Sequence, residues 1–136
     1  MQQSPRTFAI LGMAGSLLGL TFDCTEATTL ATFWSDVLGR SVDDGASTDF
    51  ASIGVGDDSQ PAWFFVKVPD GKIPQARIEK RRGQTVHVEL HVADDGRAAE
   101  IERLIALGAV KLWDGEQGDT RWITMADPEG NAFCIA

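Results

Sequence analysis

The sequence contains no tyrosine and only two cysteines among its 136 residues. The absence of tyrosine excludes acid catalysis by a phenol group. The two cysteines, Cys24 and Cys134, are too few for the disulfide framework of a small secreted domain, so we expect reduced thiols in a cytoplasmic protein. The apolar segment at residues 8–20 is too short to span a bilayer, and we expect no contact with a membrane.

Motifs that mark several enzyme classes are also missing. The sequence has no glycine-rich phosphate loop, no nucleophile elbow, no Cys-x-x-Cys pair and no dinucleotide-binding fingerprint. Its 12 basic residues against 20 acidic ones give a net charge of −8, which argues against a nucleic-acid partner. We interpret the one basic run, residues 77–82, as a solvated linker rather than a site for anions or nucleic acid.

The composition is that of one ordinary globular domain. Hydrophobic residues make up 43% of the chain and charged residues 24%, and the chain is long enough to bury a core. We interpret residues 1–16 as an N-terminal extension, not an export signal, because no small-residue cleavage site follows the apolar stretch. The predicted domain comprises residues 17–136.

Hydrophobic periodicity predicts the same order of elements, one strand, one helix and then further strands, in both halves of the chain. In the first half these are a strand at 17–24, a helix that ends at Gly39, and strands at about 49–56 and 62–68. In the second half they are a strand at 85–93, a helix that ends at Gly108, and strands near 109–113, 120–126 and 132–136. We predict an α+β fold of two βαβββ modules, about 17–70 and 84–136, which form a cupped eight-stranded mixed sheet with helices outside.

Two short segments have structural interpretations. Asp23 or Thr25 is expected to cap the first helix, because short polar side chains bind free N–H groups there. The segment from Asp127 to Asn131 is a tight turn by composition, since proline fits its second position and glycine tolerates a positive φ. We assign this turn to structure and not to chemistry.

Strict alternation in residues 85–93 places His87, Glu89 and His91 on one face of a strand, opposite valines and a leucine. Neighbours on such a face lie about 6.5–7 Å apart, so one pair could share a metal or a proton, whereas the two histidines lie about 13 Å apart. Three interpretations remain open: a polar wall of a ligand cavity, acid–base chemistry by His87 or Glu89, and a solvated sheet face.

Tryptophans and a second cysteine complete the candidate site. At least one of Trp63, Trp113 and Trp122 is expected to contact a cavity, where it would give a flat apolar wall. Cys24 is expected in the core, and Cys134 is interpreted as a buried small hydrophobe, because no lysine or arginine lies beside it in sequence. The predicted ligand pocket comprises Thr21, Trp63, His87, Glu89, His91, Trp122 and Cys134.

Three segments together resemble the vicinal oxygen chelate superfamily, and within it the glyoxalase-like domains of the glyoxalase, bleomycin resistance protein and dioxygenase family. They are the aromatic pair and Leu-Gly stop in residues 30–39, the His-x-Glu-x-His strand with its helix in 86–109, and the turn and strand in 127–134. The resemblance implies a concave sheet that holds a ligand. In metal-dependent members it also implies a divalent ion, bound by a His on the first strand and a Glu on the last strand of each module.

In this sequence, one of those four ligand positions carries the residue that the family resemblance implies. The first-module His position falls on Gly19, and no carboxylate is present in residues 61–68, where the first-module Glu is expected. The second-module His position falls on His87, and the second-module Glu position falls on Cys134. We therefore expect no cofactor and no metal site, with a divalent metal as the alternative. The resemblance also implies cavities within one chain or across two, so a homodimer is among the expected assemblies.

These observations favour a small-molecule-binding protein that holds an aromatic or amphiphilic ligand in the sheet cavity without a metal. The alternative is a lyase, isomerase or dioxygenase of the same superfamily that uses His87, with or without Glu89, as base or ligand. A third hypothesis is an interaction module whose cavity is vestigial.

Overall fold

The computed structural model describes residues 15–69 and 85–136. The basic run at 77–82 and most of the predicted extension, residues 1–14, lie outside this part of the chain. None of the helices in the described residues is long and apolar enough to cross a membrane. The strands are β1 (Gly19–Cys24), β2 (Phe50–Ile53), β3 (Ala62–Lys67), β4 (Val88–Leu90), β5 (Val110–Gln117), β6 (Thr120–Ala126) and β7 (Ala132–Ile135). The α-helices are α1 (Ala27–Leu38) and α2 (Arg97–Leu107), the latter preceded by a 3-10 turn at Asp94–Gly96.

The strands form two sheets with the same internal order. The first sheet has the order β1-β3-β2, and the second has the order β4-β7-β6-β5. In each sheet the first strand of the module pairs in parallel with the last strand, and the remaining pairs are antiparallel. The α+β fold with two repeated modules is thus confirmed.

The eighth strand is reduced to one residue pair in the described residues. Val42 makes an isolated antiparallel bridge to Ile53, in the position next to β2 that β5 occupies next to β6. Asp43, the next residue, contacts β2 and the residues after it through its side chain. Its carboxylate accepts hydrogen bonds from Ser52 Oγ at 2.8 Å and from the N–H groups of Gly54 and Val55. Asp43 N also donates a backbone hydrogen bond to Ser52 O at 2.9 Å, so one backbone bond and these side-chain bonds take the place of a longer strand ladder here.

Helix α1 has a defined cap at each end. The helix ends at Gly39 with φ of 66°, as its sequence position predicts. The predicted caps at its start were wrong: Glu26 is the N-cap, and its carboxylate accepts a hydrogen bond from Thr29 N at 2.6 Å. The longer side chain reaches the first turn because Glu26 has extended backbone geometry, with φ of −147°.

Strand β4 is shorter than the alternation predicts. Only residues 88–90 pair with β7 as a strand, although Val92 N still donates a backbone hydrogen bond to Ala136 O at 3.0 Å. The predicted face assignment holds for Val88, Leu90 and Val92, which pack against the core, whereas Val86 is 76% exposed.

The two modules share one core. Trp34 of α1 lies 5.0 Å from Trp63 of β3 and 4.9 Å from Phe133 of β7, measured between ring centroids. Phe22 of β1 stacks on Trp63 at 5.6 Å, and Cys24 is fully buried in the same cluster as expected. Aromatic pairs at such distances add to the stability gained from burying their area. The helix sides of both sheets are therefore joined by a continuous apolar cluster.

The turn between β6 and β7 binds the first module through a buried carboxylate. Asp127 is 3% exposed, and Trp34 Nε1 donates a hydrogen bond to its Oδ2 at 3.0 Å. Asn131 donates to both oxygens, and Glu129 N donates to Oδ1 at 2.9 Å. Burial raises the pKa of the Asp127 carboxyl group, and these donors act in the opposite direction. The structural role assigned to this turn agrees with these contacts.

Glu129 in the same turn binds the start of α1. Its two carboxylate oxygens accept hydrogen bonds from the N–H groups of Thr25 at 2.7 Å and Glu26 at 3.0 Å. A carboxylate at this end of a helix satisfies free N–H groups and lies at the positive end of the helix dipole. The last turn of the second module thereby holds the first helix of the first module.

We expect Asp127→Asn to lower the free energy of unfolding by about 2–3 kcal/mol, since an amide NH₂ would face N–H donors where a carboxylate oxygen now accepts. Urea denaturation at neutral pH measures the change. Asp58→Asn, in an exposed loop, is the matched control and should stay within about 0.5 kcal/mol of the original protein. An unchanged midpoint for Asp127→Asn would contradict the role given to this carboxylate.

Candidate functional site

A cleft of about 560 Å³ lies between β1 and β4, the first strands of the two modules. Both strands are at the edges of their sheets in the described residues. We call this space the inter-module cleft. Its apolar lining residues are Leu20, Phe22, Leu38, Pro61, Trp63, Val86, Val88, Leu90 and Ala132. Its polar lining residues are Thr21, Asp23, Arg40, Gln60, Thr85, His87, Glu89 and Asn131.

His87, Glu89 and Cys134 form a cluster at the β4 side of the cleft. His87 Nε2 contacts Glu89 Oε2 directly, and both side chains are about half exposed, at 48% and 60%. Glu89 is the register partner of Cys134 in the parallel β4–β7 pair. One ligating atom from each of the three residues lies within 4.8 Å of the others. The pairing of β4 with β7 thus brings together side chains that are distant in sequence.

Cys134 is the buried member of this cluster. Its side chain is only slightly exposed, and its Sγ lies 3.4 Å from Thr124 Oγ1 on the neighbouring strand β6. Burial raises the pKa of the Cys134 thiol, and the charge of Glu89 raises it further. Burial likewise raises the pKa of Cys24 to about 11, so both thiols are protonated and of low reactivity at neutral pH in the metal-free chain.

Four of the seven predicted pocket residues line the inter-module cleft: Thr21, Trp63, His87 and Glu89. Cys134 lies next to the cleft through Glu89. His91 and Trp122 are not among the lining residues. His91 Nδ1 lies 3.1 Å from Ala136 O at the end of the β4–β7 pair.

The aromatic side chains are divided between the two sheet faces. Trp63 is 7% exposed and belongs to the core on the helix side, yet its edge reaches the cleft. Trp113 is 54% exposed and does not line the cleft. Trp122 packs over Gly115 and lines a separate cavity of about 450 Å³ with Arg97.

Sequence reasoning missed Arg40, Gln60 and Asn131 as lining residues of the cleft. Arg40 Nη1 donates a hydrogen bond to Pro61 O at 2.9 Å, and its Nη2 lies 3.9 Å from Asp57 Oδ2. These three residues come from loops or helix ends, and no local pattern signals which cavity such residues approach. Only the placement of one module against the other could have identified them.

Gly19 leaves no room for a metal ligand in the first module. A Cβ atom at this position would lie 2.5 Å from Ala62 O and 2.8 Å from Phe64 Cε2. Strand β3, where a carboxylate would complete the first-module pair, carries none. The described first module therefore does not fit the ligand set that metal-dependent relatives place there.

The second module does fit a divalent cation through a different set. An imidazole, a carboxylate and a thiol together offer the donor types that bind Zn²⁺ and related ions. His87 and Cys134 lie at the second-module His and Glu positions that the family resemblance implies. Glu89 supplies the third donor.

Comparison with known proteins identifies this arrangement of modules. A family model described as "Glyoxalase-like domain" matches residues 19–136. No curated protein sequence matches the chain. A glyoxalase/bleomycin resistance protein/dioxygenase family enzyme from Burkholderia phytofirmans PsJN superposes with a TM-score of 0.67 at 18% identity, over 89% of this chain and 97% of that one.

Two further solved structures have bound ligands. A mutant of the genomically encoded fosfomycin resistance protein FosX from Listeria monocytogenes, with Mn(II) and 1S,2S-dihydroxypropylphosphonic acid, has a TM-score of 0.67 and 11% identity over 90% of both chains. The bleomycin-binding protein of Streptomyces verticillus, with copper(II)-bleomycin, has a TM-score of 0.53 and 18% identity, over 91% of this chain and 98% of that one. At these identities the likeness concerns the fold alone.

Gly19→Ala tests the lack of space at the first-module position. We expect it to lower the free energy of unfolding by about 1–3 kcal/mol, because the added Cβ overlaps Ala62 O in the neighbouring strand. Gly56→Ala is the matched control, since a Cβ there meets nothing within 4 Å, and it should change stability by about 0.5 kcal/mol at most. Thermal and urea unfolding of the three proteins measure the difference, and equal stabilities would show that β1 can move away from β3.

Proposed function

Since the chain belongs to the glyoxalase-like domain family of the vicinal oxygen chelate superfamily, we propose that it binds an aromatic or amphiphilic small molecule in the inter-module cleft. The observation that carries this proposal is the cleft itself. Its volume of about 560 Å³ is in the range of about 300–1,000 Å³ that is typical of small-molecule sites.

The lining of the cleft supports an aromatic or apolar ligand body. Leu20, Phe22 and Trp63 contribute apolar side chains from the first module, and Val88 and Leu90 contribute them from the second. Phe22 and Trp63 are already stacked with an interplanar angle of 12°, so their rings are held by the core rather than free to fill the cleft. A ligand would therefore meet a wall that is fixed before binding, which reduces the entropy lost on association.

Polar groups at the same cleft support the amphiphilic character. Arg40, Asp23 and Glu89 supply charged groups, and His87 and Asn131 supply further hydrogen-bonding groups. A few polar groups in a mainly apolar site orient a ligand and give specificity. The bound small molecules of FosX and the bleomycin-binding protein support such a function for this fold, although their identities do not carry over to this chain.

The apolar contacts require no metal, so binding of the ligand body is expected to persist in the presence of a chelator. Location in the cytoplasm and assembly into a homodimer remain predictions from the sequence. A second copy would cover exposed apolar side chains on the strands, such as Phe50 and Trp113, if the dimer forms through the open sheet faces.

An enzyme is the second candidate function, and the direct contact between His87 Nε2 and Glu89 Oε2 favours it. A carboxylate that accepts a hydrogen bond from one imidazole nitrogen fixes the tautomer and orientation of the ring. His87 would then act as a general base toward a ligand in the cleft, with Glu89 as its positioning residue. General-base catalysis by His87 is the chemistry expected if the protein is a lyase or an isomerase.

The binding proposal predicts that the neutral aromatic probe N-phenyl-1-naphthylamine binds the protein and gains fluorescence. Thr21→Phe should weaken this binding by about tenfold or more, which corresponds to about 1.4 kcal/mol, because the new ring occupies the cleft from an exposed position on β1. A fluorescence titration in the presence of a chelator measures both affinities.

Thr120→Phe is the matched control, since Thr120 is exposed at the start of β6 and does not line the cleft. It introduces the same ring without filling the cleft and should leave the affinity for the probe unchanged. Absence of probe binding to the original protein, or equal weakening by both substitutions, would contradict the proposed site.

A further inference from the structure

We propose that His87, Glu89 and Cys134 form a one-module binding site for a thiophilic divalent cation such as Zn²⁺. The proposal adds a metal to the proposed function, but it does not depend on which small molecule enters the cleft. It also departs from the expectation of no metal, which rested on comparing the four family positions one by one. Glu89 lies outside those positions and was therefore not counted.

The geometry of the three donors supports one shared ion. Zinc binds sulfur at about 2.3 Å and nitrogen or oxygen at about 2.0–2.2 Å, so donors in a tetrahedral site lie roughly 3.3–3.7 Å apart. The present donor atoms lie within 4.8 Å of one another, and two of the three side chains are about half exposed. His87 and Glu89, which now contact each other directly, can separate through side-chain rotation to admit an ion, while Cys134 stays fixed in β7.

The backbone fixes the origin of each donor. His87 and Glu89 are alternate residues and project from the same face of the chain at β4. Cys134 is the direct register partner of Glu89 across the β4–β7 pair. Backbone hydrogen bonds just beyond this pair, from Ala136 N to Leu90 O at 2.9 Å and from Val92 N to Ala136 O at 3.0 Å, hold the register.

The charges of the donor set also suit a divalent cation. On binding, the Cys134 thiol releases its proton to solvent and the sulfur lone pair bonds to the metal. One thiolate and one carboxylate then balance the two positive charges, and the imidazole adds a neutral donor. The neutral assembly removes the repulsion between the Glu89 carboxylate and a neighbouring thiolate.

A tetrahedral ion with three protein ligands keeps a fourth position for water or a ligand atom. Because His87 and Glu89 line the inter-module cleft, that position would be accessible from the cleft. The second module alone supplies all three donors, whereas the crowded Gly19 of the first module supplies none.

Cobalt substitution tests the sulfur ligand directly. Protein prepared without a metal-affinity tag is titrated with Co²⁺, and one equivalent should produce a thiolate-to-cobalt charge-transfer band in the near ultraviolet. Zn²⁺ should displace the cobalt and remove the band. Cys134→Ser should abolish the band, and His87→Ala should weaken Co²⁺ binding by about tenfold or more, since loss of even an outer contact costs about 10–100-fold.

The chain offers a matched control for each ligand. His91→Ala removes the other histidine, which lies on the same face but contacts Ala136 O, and should leave the band and the affinity unchanged. Cys24→Ala removes the other cysteine, which is fully buried in the core, and should also retain the band. Circular dichroism of each variant checks that it is folded, and serine at the buried position 134 can keep the contact with Thr124.

Three results would overturn the metal site: no binding of Co²⁺, stoichiometric Co²⁺ binding without a charge-transfer band, or a band that persists in Cys134→Ser. Failure of the proposed ligand binding can be distinguished from failure of the metal site, because the naphthylamine titration is carried out with chelator present. Metal binding without probe binding would support the metal site and contradict the cleft as a ligand pocket. Probe binding without metal binding would support the ligand pocket and contradict the metal site.

Discussion

The buried carboxylate of Asp127 is the contact on which the relative placement of the two modules depends. Four N–H groups converge on its two oxygens, and one of them belongs to Trp34, which is 93 residues away in sequence. A buried carboxylate is costly unless it is hydrogen-bonded, and α1 supplies one of its four donors while the turn supplies the other three. Glu129 then adds a second bond between the same two elements by accepting from the N–H groups at the start of α1.

This constraint explains why a cleft exists. The modules are joined on the helix side by the Asp127 turn and by the aromatic cluster around Trp34, whereas the described β1 and β4 do not pair with each other. An unpaired edge strand is normally covered or protected against association with other strands. Here the two edges border a cavity instead. The modules are thus joined on the helix side, and the cleft lies between the two edge strands.

The parts of the fold that depend on local periodicity could be predicted from the sequence, and the parts that depend on distant contacts could not. Alternation placed His87 and Glu89 on one face and the valines on the other. It could not decide whether Trp63 or Phe64 faces the core, because both are aromatic. Arg40 and Asn131 reach the cleft only through the packing of one module on the other, and the contact of Glu129 with Thr25 spans 104 residues without any local signal.

The two modules share their topology but contribute different chemistry to the cleft. In the first module Gly19 excludes a donor side chain, and Leu20, Phe22 and Trp63 dominate the wall. In the second module His87 and Glu89 face the same space, with Cys134 beside them. Apolar and polar groups line both walls, so among the described residues the modules differ chiefly in the three possible metal donors, which the second module supplies. The halves can differ in this way because both keep the same strand order, while none of His87, Glu89 and Cys134 belongs to the apolar core cluster.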